Sequence, residues 1–211
     1  MKPYYQDDYA TIYHGDCRDI LPGLEPVDLV LTDPPYGLNW DYASHDDTPE
    51  ALQELIDAVV PVCIENATRV MLTCGQTNIH KYPLPDWNLA WVFKAGVGQN
   101  PWGFTGWQPI LVWGKDAYRA AGMGARPDYI EKTCGAMVDW DHPCPKPLPV
   151  WELVLLRGSV SESDVVLDPF MGSGTTLVAA KNLGRKSIGI EIEEKYCEIA
   201  AQRLSQEVLA L

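Results

Sequence analysis

Short apolar runs that end beside an acidic residue recur along the chain. Runs of this kind lie at 10–14, 27–32, 164–167 and 186–190, and further apolar runs lie at 69–74, 88–93 and 109–113. Because these runs are short and largely free of polar alternation, they predict buried strands of a parallel sheet.

Amphipathic helical patterns lie between several of these runs. Residues 49–66 carry apolar side chains on one face, and Pro61 is expected to end or kink that helix. Helices are also predicted at 175–183, with Gly184 as the C-cap, and at 193–209. Strands that alternate with helices imply right-handed crossovers, so the sequence predicts an α/β fold with a doubly wound, mostly parallel sheet and helices on both faces.

Composition and charge narrow the class of protein. The 211 residues suit one domain, and 16 Lys and Arg against 29 Asp and Glu give a net charge of −13. An acidic chain is a poor non-specific binder of nucleic acid, although residues 94–146 carry a net charge of +1. No apolar run approaches the roughly 20 residues of a membrane helix, and the first residues carry no apolar leader, so we expect a cytoplasmic protein.

The cysteines and histidines show no metal-ligand pattern. The six cysteines, at 17, 63, 74, 134, 144 and 197, form no Cys-x-x-Cys pair, and His14, His45, His80 and His142 are scattered. We therefore expect no metal site, and thiols that are buried or idle in a reducing compartment.

Four acidic residues follow predicted strands and mark one edge of the sheet. They are Asp16, Asp33, Asp168 and Glu191. Each one alone is typical of a helix cap or a turn. Because ligands bind outside the carboxyl ends of strands in open α/β sheets, the four together favour a ligand site.

The segment Asp168-Pro-Phe-Met-Gly-Ser-Gly-Thr-Thr176 links a predicted strand to a helix. Gly172 and Gly174 permit a tight turn and close approach of a ligand, and the helix start at Thr175 offers free N–H groups to an anion. The segment lacks the Gly-Lys-Ser/Thr of a P-loop and the third glycine of a dinucleotide fingerprint. With Glu191 placed to accept ribose hydroxyls, it suggests an adenosine-bearing ligand with an amino-acid tail, the alternative being a plain glycine turn.

The segment Asp33-Pro34-Pro35-Tyr36-Gly37 also follows a predicted strand. Two prolines make the turn rigid and leave its carbonyl groups free to accept hydrogen bonds. A carboxylate beside a carbonyl can accept both hydrogens of a planar exocyclic amine, and Tyr36 offers a ring on which a base can stack. The alternative is a proline-rich turn with its tyrosine in the core.

LVLTDPPYG and VVLDPFMGSGTTLVAAKNLGRKSIGIEIEEKYCEIAAQRL resemble the S-adenosylmethionine-dependent DNA amino-methyltransferases, which methylate adenine N6 or cytosine N4. Their order matches the circularly permuted β-class arrangement, and YHGDCRDIL and HPCPKPLPVWELVL resemble further family segments. The resemblance implies a Rossmann-like methyltransferase fold with a seven-stranded type of sheet in a single domain. Residues 1–114 would form the target-base half, 115–141 a short recognition insertion and 142–211 the cofactor half.

The resemblance also implies roles for individual residues. The residues that it assigns to S-adenosylmethionine are Asp16, Lys146, Asp168, Phe170, Gly172, Gly174, Thr175 and Glu191, with a solvated side chain as the alternative for Lys146. The residues that it assigns to the target base are Asp33, Pro34, Pro35 and Tyr36. Within the family Asp33 favours adenine N6 over cytosine N4.

The implied partner is DNA, with the base flipped out of a duplex. Trp102 and Trp107 are candidates for stacking or intercalation, with packing on the sheet as the alternative, and Arg119 and Arg126 are candidates for phosphate contacts or solvated charges. The short insertion leaves room for a homodimer or a separate specificity partner. The other functions that stay open are an RNA or protein methyltransferase and a non-catalytic partner subunit that binds the cofactor.

Overall fold

The computed structural model describes residues 2–38, 47–93, 99–133 and 146–206, with the backbone alone at 99 and 100. Within these residues the strands are β1 (Tyr5–Gln6), β2 (Ala10–His14), β3 (Val27–Thr32), β4 (Ala67–Thr73), β5 (Trp87–Val92), β6 (Gln99–Asn100), β7 (Gly103–Phe104), β8 (Trp107–Trp113), β9 (Tyr129–Glu131), β10 (Val165–Asp168) and β11 (Lys186–Glu191). The α-helices are α1 (Cys17–Ile20), α2 (Pro49–Asn66), α3 (Ala117–Ala120), α4 (Leu148–Gly158), α5 (Thr175–Asn182) and α6 (Glu194–Ser205).

The described strands form one large sheet in the order β1-β2-β11-β10-β3-β4-β8-β5-β9, and β6 and β7 form a separate hairpin. The five strands from β2 to β4 in that order are parallel, and β8 runs antiparallel to both β4 and β5. The predicted doubly wound, mostly parallel sheet is thereby confirmed. The strands from β2 to β5 in the sheet order make up the seven expected from the resemblance, and the short strands β1 and β9 extend its two edges.

Alternation along β3 explains why helices cover both faces of the sheet. Val30 packs in one apolar cluster with residues of α2, whereas Leu29 and Leu31 pack in another with residues of α4 and α5. Successive side chains of a strand point to opposite faces, so an uninterrupted apolar strand has to be covered on both sides.

Pro61 does not end the predicted helix, because α2 continues through it to Asn66. A proline removes the N–H that would bond to the carbonyl of Asp57, and it crowds that carbonyl. Both Pro61 and Asp57 lie on the exposed face of α2, where water can solvate the carbonyl, so the expectation of a break was wrong.

The direction in which the chain leaves the sheet reverses between β3 and β10. From β10 the chain passes through α5 to β11 on one side, and from β3 it passes through α2 to β4 on the other. This switch point opens a crevice at the carboxyl ends of the two strands. It also brings the two halves together, because Thr32 Oγ1 donates to Asp168 Oδ1 at 2.6 Å.

The cysteines at 17, 63, 74 and 197 are buried and free. Burial raises the pKa of each thiol to about 12, so each stays protonated at neutral pH. The remaining candidates Cys134, Cys144, His45 and His142 lie outside the described residues. In the described ranges, no helix is long and apolar enough to cross a membrane, and no group of three His, Cys, Asp or Glu residues could hold a metal ion.

Candidate active site

A cavity of about 700 Å³ lies at the carboxyl ends of the parallel strands. All four acids that follow predicted strands line it, namely Asp16, Asp33, Asp168 and Glu191. The cavity is also lined by Lys146 and by the turn between β10 and α5. Its volume lies within the range of sites that enclose a cofactor or drug-sized ligand, roughly 300–1,000 Å³.

Asp168 is a buried junction between three elements. Its Oδ1 accepts hydrogen bonds from Thr32 Oγ1 at 2.6 Å and from the backbone N–H of Phe170 at 3.0 Å. Its Oδ2 accepts from Thr176 Oγ1 at 2.5 Å. Burial raises the pKa of Asp168 to about 6, because the hydrogen bonds offset only part of the cost of removing the charge from water.

Glu191 holds the glycine turn from the next strand. Its Oε2 accepts from the backbone N–H of Gly172 at 3.0 Å, and its Oε1 accepts from that of Glu193 at 2.8 Å. Each carboxylate oxygen has about two acceptor sites, so the donors of the described part of the chain leave one on each oxygen. Burial raises the pKa of Glu191 to about 7.

The two glycines of the turn differ in what lies beside them. Gly172 lines the cavity with a φ of +51°. Gly174 has a φ of +80°, and a Cβ added there would lie 2.7 Å from Cβ of Ala200 on α6. The expectation that Gly174 makes space for a ligand therefore needs correction, because the space beside it belongs to α6.

Arg203 of α6 forms hydrogen bonds to the same turn. This role was not predicted from the sequence. Its Nη1 donates to the carbonyl oxygen of Ser173 at 2.5 Å and lies 3.3 Å from Thr175 Oγ1. Nothing in the helical pattern of 193–209 separates this arginine from a solvated one. Its partners follow only from how α6 packs against the turn.

Asp33, directly after β3, accepts hydrogen bonds from its own turn and from two distant parts of the chain. Its Oδ1 accepts from Tyr36 Oη at 2.7 Å and from Thr73 Oγ1, and its Oδ2 accepts from Lys146 Nζ in an ion pair. Lys146 therefore contacts the proposed target-base residues. Its side chain is only 11% exposed, so the alternative of a solvated lysine was wrong.

Tyr36 is fixed by residues from two further elements. Asn78 Nδ2 donates to its carbonyl oxygen at 2.8 Å, and Gln108 Nε2 of β8 donates to its hydroxyl. Burial, followed by the nearby negative charge of Asp33, raises the pKa of Tyr36 well above its usual value. Tyr36 therefore stays protonated and donates its hydrogen to Asp33. Sequence reasoning missed Thr73 and Gln108, because neither lies in a recognisable motif.

Asp16 lies at the rim of the cavity and begins α1. It accepts from the backbone N–H of Arg18 at 2.9 Å and forms an ion pair with the Arg18 side chain at 2.5 Å. The sequence placed Asp16 at a strand end but did not predict this four-residue helix.

The candidate DNA contacts fall into two groups. Trp102 lies between β6 and β7 and is 99% exposed, which contradicts packing on the sheet, and Trp107 lines the cavity. Arg119 is exposed. Arg126 instead binds the end of α4, donating to the carbonyl oxygens of Leu156 and Arg157 at 2.9 and 3.1 Å.

Arg126 also pairs with Asp116 at 3.1 Å. Its guanidinium lies 3.7 Å from the centre of the Tyr118 ring. With these internal partners Arg126 stabilises the fold, and its interpretation as a phosphate contact needs correction.

Comparisons with known proteins agree on one group of enzymes. A family model described as DNA methylase (N6_N4_Mtase) matches residues 112–202. The chain is 52% identical to the type II methyltransferase M2.LlaDCHI of Lactococcus lactis subsp. cremoris, over 97% of this chain and 93% of that protein. It is 28% identical to the type II methyltransferase M2.DpnII of Streptococcus pneumoniae, over 98% of this chain and 93% of that protein.

Solved structures of DNA methyltransferases are also similar to this chain. The complex of M1.HpyAVI with SAM is similar with a TM-score of 0.69 and 26% identity, over 93% of this chain and 100% of that one. The cytosine-N4-specific PvuII DNA methyltransferase shares the fold with a TM-score of 0.75 at 16% identity, over 99% of this chain and 91% of that one.

Proposed function

This chain belongs to the adenine-N6/cytosine-N4 family of DNA amino-methyltransferases, and from that premise we propose that it methylates N6 of adenine in DNA with S-adenosylmethionine. One observation carries the proposal. Asp33 and Pro34 share a single cavity with the glycine turn and Glu191. The proposed amine acceptor site and the proposed nucleoside site thus belong to one cavity.

The cofactor half fits S-adenosylmethionine at both ends. The free acceptor sites of Glu191 suit the two ribose hydroxyls, and the N–H groups at the start of α5 suit the carboxylate of the amino-acid tail. Phe170 and Asp16 line the same cavity and would contact the remainder of the cofactor. The bound cofactor supplies a methyl group that its sulfonium activates for transfer.

The target half makes the amine a better nucleophile. An exocyclic amine is weak because its lone pair is delocalised into the ring. Hydrogen bonds from its two N–H groups to Asp33 and to the Pro34 carbonyl would favour a pyramidal nitrogen and release that lone pair. Positive charge then develops on the nitrogen, and the Asp33 carboxylate stabilises it. Pro35 keeps the turn rigid, and the Tyr36 ring is proposed to stack on the base.

Contacts with DNA would come from Trp107, which lines the cavity, and from two exposed side chains. Trp102 and Trp107 offer apolar rings to a displaced base or its neighbours, and Arg119 offers a charge to a phosphate. We propose that residues 1–114 hold the target base, that 142–211 hold the cofactor, and that 115–141 contribute recognition. Because the chain is acidic, binding to duplex DNA should be weak and steeply salt-dependent.

The deciding experiment is methyl transfer from radiolabelled S-adenosylmethionine to unmethylated duplex DNA, followed by nucleoside digestion and mass spectrometry. N6-methyladenine is the expected product, whereas N4-methylcytosine would keep the mechanism and correct the base. Asp33→Ala should abolish transfer, and Asp8→Ala, which changes an exposed carboxylate outside the cavity, should not. If the wild type and Asp33→Ala are equally inactive, an RNA or protein acceptor or a non-catalytic partner subunit becomes the better hypothesis.

A further inference from the structure

The carboxylate of Asp33 has a limited number of hydrogen-bond acceptor sites. An ionised carboxylate offers about four, two on each oxygen. Among the described residues, the hydroxyls of Tyr36 and Thr73 both donate to Oδ1, and the ammonium of Lys146 donates to Oδ2. Oδ1 is thus fully used, and Oδ2 keeps one acceptor site.

We propose that Lys146 is a positioning residue that fixes Oδ2 of Asp33 so that its remaining acceptor site receives one N–H of the amine. This inference rests on the proposed function, since it assigns the amine to Asp33. It differs from the cofactor-binding role that the family resemblance implies for Lys146. The ammonium holds the carboxylate from one side, and both side chains line the cavity.

The position of Lys146 depends on the cofactor half of the molecule. Lys146 lies two residues before the start of α4. Trp151 of this helix is buried and donates through Nε1 to Thr176 Oγ1 at 2.8 Å. Thr176 in turn donates to Asp168 at 2.5 Å. A chain of contacts therefore runs from the strand before the glycine turn, through α4, to the base-binding carboxylate.

This arrangement gives Lys146 a kinetic signature. Loss of the ammonium leaves Oδ2 without the partner that fixes its direction, and the carboxylate can rotate away from the amine. Misplacement of a reacting group by about 1 Å can cost about 100-fold in rate. The loss should therefore appear in kcat, whereas the contacts proposed for the cofactor are left in place.

The test compares Lys146→Met, Lys146→Arg and the control Lys186→Met. The control changes an exposed lysine at the start of β11, at the end of that strand away from Glu191 and the cavity. For each variant, kcat and KM for DNA, the calorimetric Kd for S-adenosylhomocysteine and the melting temperature are measured. We expect Lys146→Met to lower kcat by about 100-fold with an unchanged Kd, and Lys146→Arg to recover part of the loss. The control variant should have the kcat, KM, Kd and melting temperature of the wild type.

Three results would overturn the inference. An unchanged kcat in Lys146→Met excludes positioning, and a weaker Kd with an unchanged kcat makes Lys146 a cofactor-binding residue. A drop in melting temperature that Lys146→Arg does not reverse makes its role purely structural.

A crystal structure of Lys146→Met tests the inference without any substrate. The Asp33 carboxylate is expected in a different rotamer, and an unmoved carboxylate would refute the positioning role. An inactive wild type would instead count against the proposed function, so the two failures are distinguishable.

Discussion

Asp33 and Asp168 lie at the carboxyl ends of two adjacent strands, β3 and β10, but they are held by different kinds of partner. Asp168 is buried, and its donors among the described residues are all neutral, namely two hydroxyls and one backbone N–H. Asp33 is partly exposed to the cavity and takes two hydroxyls and a cation. The first carboxylate joins elements of the fold, and the second is paired with a cation and is accessible from the cavity.

The difference shows that carboxylates at one edge of a sheet can have separate roles, one in stabilising the fold and the other in binding a substrate. A buried carboxylate whose donors come from several elements of the fold holds those elements together. A carboxylate whose charge is balanced by one cation retains both its direction and an open acceptor site. Position after a strand therefore identifies both aspartates as candidates, but their partners decide what each one does.

The largest expected effect separates these two aspartates directly. Asp33→Asn should lower kcat by about 1,000-fold, because a neutral amide stabilises the charge on the amine poorly, and cofactor affinity should be unchanged. Asp168→Asn should instead lower the free energy of unfolding by about 2 kcal/mol, since its amide faces donors that need an acceptor. For both variants, turnover assays measure kcat, calorimetry measures cofactor affinity, and thermal melts measure stability. Equal effects of the two variants on turnover and on stability would remove the distinction.

The next effect tests whether the glycine turn is shaped by the fold or by the ligand. Gly174→Val should cost about 3 kcal/mol of unfolding free energy and weaken cofactor binding, because its side chain collides with Ala200. Adding Ala200→Gly should restore part of the stability in a denaturant titration, since it removes the nearest atom. Without such rescue, the added side chain would be meeting something other than α6.

A smaller effect concerns the pH dependence of Glu191, which is proposed to contact the cofactor. Glu191 has a pKa of about 7 in the folded chain against an ordinary value of 4.5, so the folded state holds its proton more tightly than the unfolded one. Its contribution to stability therefore falls as pH rises from about 4.5 to about 7.

Cofactor binding should follow the opposite trend, because the ribose hydroxyls prefer the ionised carboxylate. Affinity for S-adenosylhomocysteine should weaken up to tenfold per unit below about pH 7. Glu191→Gln should bind more weakly and lose this dependence in calorimetric titrations. A wild-type affinity that is flat with pH would argue against the ribose contact.

The smallest effect concerns the exposed side chain of Trp102. Trp102→Ala should weaken DNA binding by about 1 kcal/mol, roughly fivefold, through the loss of stacking. Arg126→Met should leave DNA affinity unchanged and lower the melting temperature, because its partners belong to the protein. Fluorescence anisotropy with labelled DNA compares the two. The reverse pattern would restore Arg126 as a phosphate contact.

The sequence predicted those parts of the fold whose patterns are local. β2, β3 and α2 occupy the predicted residues, because an apolar run or an amphipathic stripe is complete within each segment. Strands of two or three residues, such as β1 and β9, carry no periodicity that a sequence could reveal.

The site was predictable in its acids and glycines but not in their partners. Lys146 reaches Asp33 across 113 positions of the chain, and Thr73 reaches it across 40. Such pairs follow from the order of strands in the sheet, which no single segment encodes. Arg126 and Gly174 were misread for the same reason, since their neighbours come from α4 and α6.

The hydrogen bond between Thr32 and Asp168 joins positions 136 residues apart, and this separation has a consequence for folding during synthesis. Closing such a long loop brings a late entropic cost, and contacts of high sequence separation form slowly. A nascent chain that has completed β3 has to wait for β10 before that edge of β3 is paired. The two halves that are proposed to bind the base and the cofactor are therefore completed in one late folding event, and the nascent chain is expected to stay inactive until then.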